Sequence, residues 1–229
     1  KNVNPGDKGS NVVWDFTSVE MKSDFVAHFA DPKLTNSLDV FPDANIRLEE
    51  FGNFFFFSAN SQESKQVGFI SNEGSITKYT EPFVKMKYPF AFGDSFTGEY
   101  KGTCFQNEKT IGPIAGKYSV VADAQGTLLL PNNLSYNNAL RISEFQSYVQ
   151  EINGKTYKVT HEAFRWYVQQ HRFPIFVIVN SQWEYTDGKI QKATRTAYNP
   201  VVVYHGNDAV SVSQSPGQIE VSVFPVPTS

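Results

Sequence analysis

The side chains of this chain best suited to chemistry are a serine in a Gly-Asp-Ser run, one cysteine and four histidines. Ser95, within Phe92-Gly93-Asp94-Ser95-Phe96-Thr97, would be a nucleophile only with a base beside it to take its proton. His28, His161, His171 and His205 are the available imidazoles, and none has an Asp three residues before it. Cys104 would likewise need a histidine neighbour. As the single cysteine it can form neither an internal disulfide nor a multi-thiolate zinc site, so it reads as a small buried hydrophobe. No His-x-His or His-x-x-x-His pair offers a metal two imidazoles on one face, and no calcium-loop pattern of alternating Asp and Asn occurs. The expectation is therefore no metal and no cofactor.

Acids and aromatics leave more room. Glycoside hydrolysis needs two carboxyl groups facing one cleft. Glu144, Glu151, Glu162 and Glu184 all fall on long expected strands, but nothing selects a pair, and each reads as part of a solvated strand face. Asp123, Asp187 and Asp208 sit beside Gly or small residues, where Asp commonly serves a turn. Tyr148, Tyr157, Tyr167, Trp183 and Tyr185 are the candidate ligand-binding residues, because aromatic rings on neighbouring strands can form a carbohydrate platform. Phe164 and Trp166 share one face of their strand and read as core; Arg165 and Tyr167 share the other, where Tyr167 covers a sheet face.

Strands must position these residues. Asn11 to Thr17 alternates, with Val12, Trp14 and Phe16 on one face and Val13 and Asp15 on the other. Met21 to Phe29 could be a short helix before the breaks at Pro32 and Pro42. Phe51 to Ser58 is a dense aromatic strand whose consecutive phenylalanines must point to both faces. Val67 to Ile70 and Ile76 to Tyr79 read as a pair, and Val84 to Phe92 as another strand with Pro89 marking an edge or bulge. Three hairpins are expected. Lys117 to Ala122 and Thr127 to Leu130 flank Asp123-Ala124-Gln125-Gly126. Asn138 to Ile152 and Thr156 to Val168 flank Asn153-Gly154. Phe173 to Tyr185 and Ile190 to Tyr198 flank Asp187-Gly188. Val201 to Tyr204, Ala209 to Val212 and Ile219 to Phe224 are short final runs.

Composition agrees. The chain has 229 residues, 40% of them hydrophobic and 15% aromatic, which suits pleated surfaces. The net charge of −3 comes without clustering of either sign, so there is no electrostatic footprint for nucleic acid. No apolar run approaches the ~18 residues of a membrane span. Asn133-Leu134-Ser135 is a glycosylation sequon.

Several segments, in order, resemble known sequences. Gly93-Asp94-Ser95 resembles the GDS block of SGNH-type esterases, but that family's Asp-x-x-His base is missing, and a turn or bulge accounts for the run. Asn4-Pro5-Gly6-Asp7-Lys8-Gly9-Ser10-Asn11-Val12-Val13-Trp14-Asp15-Phe16 is similar to the opening of mature secreted proteins of Bacteroidetes-type bacteria. Tyr88-Pro89-Phe90-Ala91-Phe92-Gly93-Asp94-Ser95-Phe96-Thr97, Ala122 to Pro131 and Asn138-Ala139-Leu140-Arg141 resemble later segments of the same proteins. Val223-Phe224-Pro225-Val226-Pro227-Thr228-Ser229 is similar to the start of their type IX secretion C-terminal sorting domain, with Val226 where Asn is usual. The resemblance implies export to the medium or the outer cell surface and transfers no catalytic residue.

The sequence thus predicts an all-β protein, an antiparallel β-sandwich or jelly-roll-like fold with at most a short N-terminal helix. It forms one domain over residues 1–213, with a linker and the start of a sorting segment over 214–229. The expected role is a secreted or cell-surface, non-catalytic binding or adhesion module for a glycan, a peptide or a surface protein. The alternative is a secreted hydrolase with an unrecognised site. Carbohydrate or another cell-surface protein is the expected partner, with neither nucleic acid nor a transmembrane segment.

Overall fold

A computed structural model describes residues 3–20, 27–34, 36–169 and 173–198. Its strands are β1 (Gly9–Asp15), β2 (His28–Ala30), β3 (Ile46–Glu50), β4 (Asn53–Ala59), β5 (Glu63–Ile70), β6 (Ile76–Lys87), β7 (Ser95–Gln106), β8 (Lys109–Leu130), β9 (Leu134–Ile152), β10 (Lys155–Tyr167), β11 (Phe176–Tyr185) and β12 (Ile190–Tyr198). They form a single 12-stranded sheet, open at its ends, in which β2 to β12 follow in chain order as an antiparallel meander. β1 is the exception and adds parallel to β8. The all-β expectation holds, and the architecture is sandwich-like. Among the described residues there is no α-helix, only 3-10 turns at Pro32–Leu34 and Asn36–Asp39. His28 and Phe29, expected at the end of a helix, lie in β2 instead; residues 21–26 are outside the described set, as are the runs expected after residue 198.

The sheet buries opposite faces in its two halves. Along β8 the buried positions are even-numbered throughout, from Ile114, Tyr118, Val120 and Ala122 to Ala124, Leu128 and Leu130. An even run on a regular strand would keep one face. Here Ala122 pairs with Ile142 and Ala124 with Arg141, so a bulge at Asp123 intervenes and reverses the side-chain alternation. Ala122 therefore faces a front core and Ala124 a back core, although both are fully buried. This overturns the hairpin expected at Asp123 to Gly126: β8 runs unbroken through it. Gly126 is a glycine for another reason, since a β-carbon there would collide with the backbone of Val12 in β1. The other two hairpins form as expected, the first on Asn153 and Gly154, both at positive φ (50° and 75°).

The back core gathers Trp14, Phe16, Leu128, Leu130, Tyr136, Phe164, Trp166, Ile175, Phe176, Ile178 and Tyr198. Phe16 lies 4.4 Å, ring to ring, from Phe176. The strands curl enough to bring the β1 edge against β11. The front core is made by folding the sheet on itself. β6 pairs with β7 only as far as Glu81; beyond it, Phe83 stacks on Tyr100 at 5.1 Å and meets Tyr118 at 4.6 Å. The second half of β6 thus lies across the front of β7 to β9. It ends at Lys87 before a cis Tyr88-Pro89 peptide, so the strand expected to reach Phe92 stops short. Farther along the same layer, the phenylalanines of β4 are covered on both sides: Phe56 stacks on Phe41 at 4.2 Å, and Phe57 joins Leu48 and Ala27 on the opposite face.

Candidate functional site

β8 to β11 place one row of side chains against the folded-over layer. Glu144 pairs across with Val120 and Ala163, Ile142 with Ala122 and Arg165, and His161 with Gln146 and Ser181. All of these share the front face. Strand alternation alone thus collects Glu144, His161 and Arg165 in the front interior, and β6 brings Lys85 down on them. Lys85 Nζ lies 2.7 Å from Oε1 and 2.6 Å from Oε2 of Glu144, and 4.0 Å from the Phe83 ring centroid. Arg165 Nη1 is 3.5 Å from Oε2 of the same carboxylate.

Glu144 is 3% exposed, which corrects the expectation of a solvated strand acid; Glu151, Glu162 and Glu184 are exposed as expected. Burial alone would push the Glu144 carboxyl up, but Lys85 and Arg165 together hold it below the usual carboxylate range. Burial lowers Lys85 to about 8 against the pull of Glu144. The Arg165 guanidinium is disfavoured by burial and held charged by Glu144, with the net shift upward. Burial also pushes Glu50, near Arg165 and Arg195, up toward its neutral form.

His161 links this cluster to the aromatic residues. Its Nδ1 lies 2.8 Å from Ser181 Oγ and its Nε2 3.4 Å from Tyr148 OH. The Trp183 ring meets it edge-on at 6.0 Å. A serine against a histidine with a carboxylate nearby invites a nucleophilic reading. Burial lowers the imidazole to about 4, which makes it a weak base, and the contact with Ser181 joins β10 to β11.

All five aromatic residues singled out from the sequence fall on the front face. Tyr148, Val159 and Trp183 form one cross-strand row, and Tyr157 pairs directly with Tyr185, their rings edge-on at 5.5 Å. Tyr157, Trp183 and Tyr185 are half-buried near the hairpin ends of the sheet. The Tyr185 hydroxyl donates to Gln191 Oε1 at 2.9 Å. Tyr148 lies deeper, against Tyr100 at 6.3 Å, and Tyr167 is 3% exposed within the front core. The structure therefore divides the set by packing: Tyr157, Trp183 and Tyr185 lie half-buried toward the hairpin ends, Tyr148 packs against the front core and Tyr167 is buried within it. Phe164 and Trp166 are back core, as expected.

The remaining candidates have structural roles. Gly93 and Asp94 form a turn in which Asp94 Oδ2 accepts from the Ala91 amide at 2.7 Å, while exposed Ser95 opens β7 opposite Val121. That places Ser95 on the back face, opposite to His161. Cys104 is buried, with Gln150 Nε2 at 3.1 Å from its sulfur. Asp123, expected to serve a turn, is instead the partner of Arg141: Nε reaches Oδ1 at 2.8 Å and Nη2 reaches Oδ2 at 3.2 Å. Arg141 Nη1 also donates to the carbonyls of Pro5 and Gly6 at 2.7 and 3.1 Å. The groups that sequence reasoning missed are Lys85, Arg165 and Arg141; a cation on an otherwise core-facing strand position was the available signal. A shallow depression of about 400 Å³ lies over Thr97, Glu99, Lys117, Ser119 and Phe145, where Lys117 and Glu99 form a solvent-exposed ion pair. No family model matches the chain, and no curated protein or solved structure was found to be similar to it.

Proposed function

We propose that this chain is a non-catalytic binding module for a glycan, working outside a bacterial cell. The observation that carries the reading is the half-buried aromatic set of Tyr157, Trp183 and Tyr185 on one face, with the amide of Gln191 beside it. Rings of this kind stack on sugar C–H faces at little conformational cost, and flanking amides supply directional hydrogen bonds. The low basicity of His161 weighs against a hydrolytic role for Ser181. The extracellular setting rests on the resemblance of residues 4–16 and 88–97 to exported bacterial proteins.

Tryptophan fluorescence tests this directly. Of the three tryptophans, Trp14 and Trp166 are 2% and 0% exposed, so a spectral change on adding a soluble polysaccharide reports Trp183. The expected outcome is a saturable change with at least one polysaccharide of a neutral and acidic panel, weakened about tenfold or more by Trp183→Ala, in line with loss of an anchoring aromatic. A flat response across the panel sinks the glycan reading.

A further inference from the structure

In the front interior, buried hydrogen-bonding groups around Arg165 are left without close partners among the described residues. Glu144 spends both oxygens on Lys85, and Arg165 reaches only one of them, at 3.5 Å. A guanidinium presents five N–H donors and no acceptor, and 19% of the Arg165 side chain remains reachable by water. Two residues farther along the same face of β10, the buried hydroxyl of Tyr167 has no hydrogen-bond partner. The Tyr88 hydroxyl, close enough to couple electrostatically with Tyr167, has none either. Besides Arg165 itself, the charged groups that interact around it are Lys85 and Arg195 on the cationic side and Glu144 and Glu50 on the anionic side. Formally that is three cations and two carboxylates, and burial pushes Glu50 toward neutrality.

We propose that this cluster is a second binding site, distinct from the half-buried aromatic set, that takes a small carboxylate between Arg165, Tyr167 and Tyr88. A carboxylate brings what the site lacks: two acceptor oxygens, one negative charge and the planar shape a guanidinium pairs with bidentately. Lys85 serves as a positioning residue, engaging both Glu144 oxygens at 2.6–2.7 Å so that Arg165, 3.5 Å from one of them, keeps further N–H donors for the ligand.

The probe is acetate, with acetamide as its neutral isostere and sodium chloride at equal ionic strength as the salt control. Ligand that binds only the folded chain raises its Tm. Acetate is expected to raise the Tm of the full chain by several degrees at concentrations where acetamide and chloride do not. Arg165→Gln abolishes the rise. Tyr167→Phe removes only the unpartnered hydroxyl; it keeps its own Tm at or above the parent value and loses at least half of the acetate effect. Equal Tm values in acetate, acetamide and chloride overturn the proposal. So does a folded Tyr167→Phe variant with an undiminished acetate rise, and this variant decides the matter if Arg165→Gln fails to fold. Glucuronate in place of acetate separates the sources: a larger rise assigns the carboxylate to a sugar acid, an equal one to a simple acid.

Discussion

Asp123–Arg141 and Lys85–Glu144 are both buried ion pairs in the same sheet, and they are built to opposite standards. Arg141, fully buried in the back half, has Nε, Nη1 and Nη2 engaged by Asp123 and by the carbonyls of Pro5 and Gly6. Its guanidinium also lies 5.5–5.7 Å from the rings of Trp14, Phe164 and Trp166. It ties the N-terminal loop, the bulge and the back core together. Around Glu144 in the front half, Arg165 keeps water access and two phenols lack partners among the described residues, whereas in the back core the one such orphan is the Trp166 indole N–H. A satisfied buried network rigidifies, whereas an unsatisfied one costs stability that a bound ligand can return. The back ion pair is the more fully engaged of the two.

The largest effect should come from breaking the satisfied pair. Asp123→Ala strands a buried cation at the point where the two cores meet, and its cost should be about 3–5 kcal/mol in urea unfolding. Glu144→Gln should cost less, because buried Lys85, already lowered to about 8, can give up its proton and water can reach Arg165. If the two variants lose equal stability, the contrast between the halves is wrong.

Acid should act next, and through the front half. Burial lowers His161 to about 4 from its ordinary 6.5. Between those values the unfolded chain binds more protons than the folded one, so stability is complete above about pH 6.5 and falls as pH drops toward 4. At about 1.4 kcal/mol for each pH unit of that interval, the loss is on the order of 3 kcal/mol. Glu144, held low by Lys85 and Arg165 despite its burial, adds to the loss below about pH 4.5. His161→Gln should flatten the pH 4–6.5 limb of the stability profile and leave the limb below it. An unchanged profile would show that the imidazole is not buried neutral.

Packing at the back edge is worth somewhat less. Gly126→Ala sets a methyl group against the Val12 backbone and should cost about 1–3 kcal/mol through overpacking and loosening of β1. Hydrogen exchange should then speed at residues 12–15 while the β10–β11 ladder keeps its protection. Uniform loss of protection would mean that β1 is not a separable edge.

What the sequence disclosed depended on whether a signal was local. The Asn153-Gly154 and Asp187-Gly188 turns were legible because the turn chemistry lies in the residues themselves. Asp123 to Gly126 carried the same residue types and misled. Its Asp is spoken for by Arg141, 18 positions away, and its Gly by Val12 in a parallel strand. The shared face of Tyr148, Tyr157, Tyr167, Trp183 and Tyr185 followed from strand alternation and hairpin register. The burial of Glu144 did not, because the strand that covers it is β6, 59 residues earlier in the chain, and no local pattern announces that the sheet folds over.

The smallest effect should also have the opposite sign. The Tyr167 hydroxyl is buried and unpartnered, so folding strips it of water and returns no hydrogen bond. Tyr167→Phe removes that cost and leaves the ring contacts of the front core in place, so the variant should be unchanged or up to about 1 kcal/mol more stable. A matched change in the back half, Tyr136→Phe, is a control of the same chemistry in the other core. Burial raises Tyr136 to about 12, so the two variants compare the removal of a buried hydroxyl from each core. Chemical denaturation of the two variants side by side reads the difference. A buried hydroxyl that costs stability is one that a bound acceptor could put to use; a Tyr167→Phe variant that loses as much stability as Tyr136→Phe would remove that reason to look for a ligand beside Arg165.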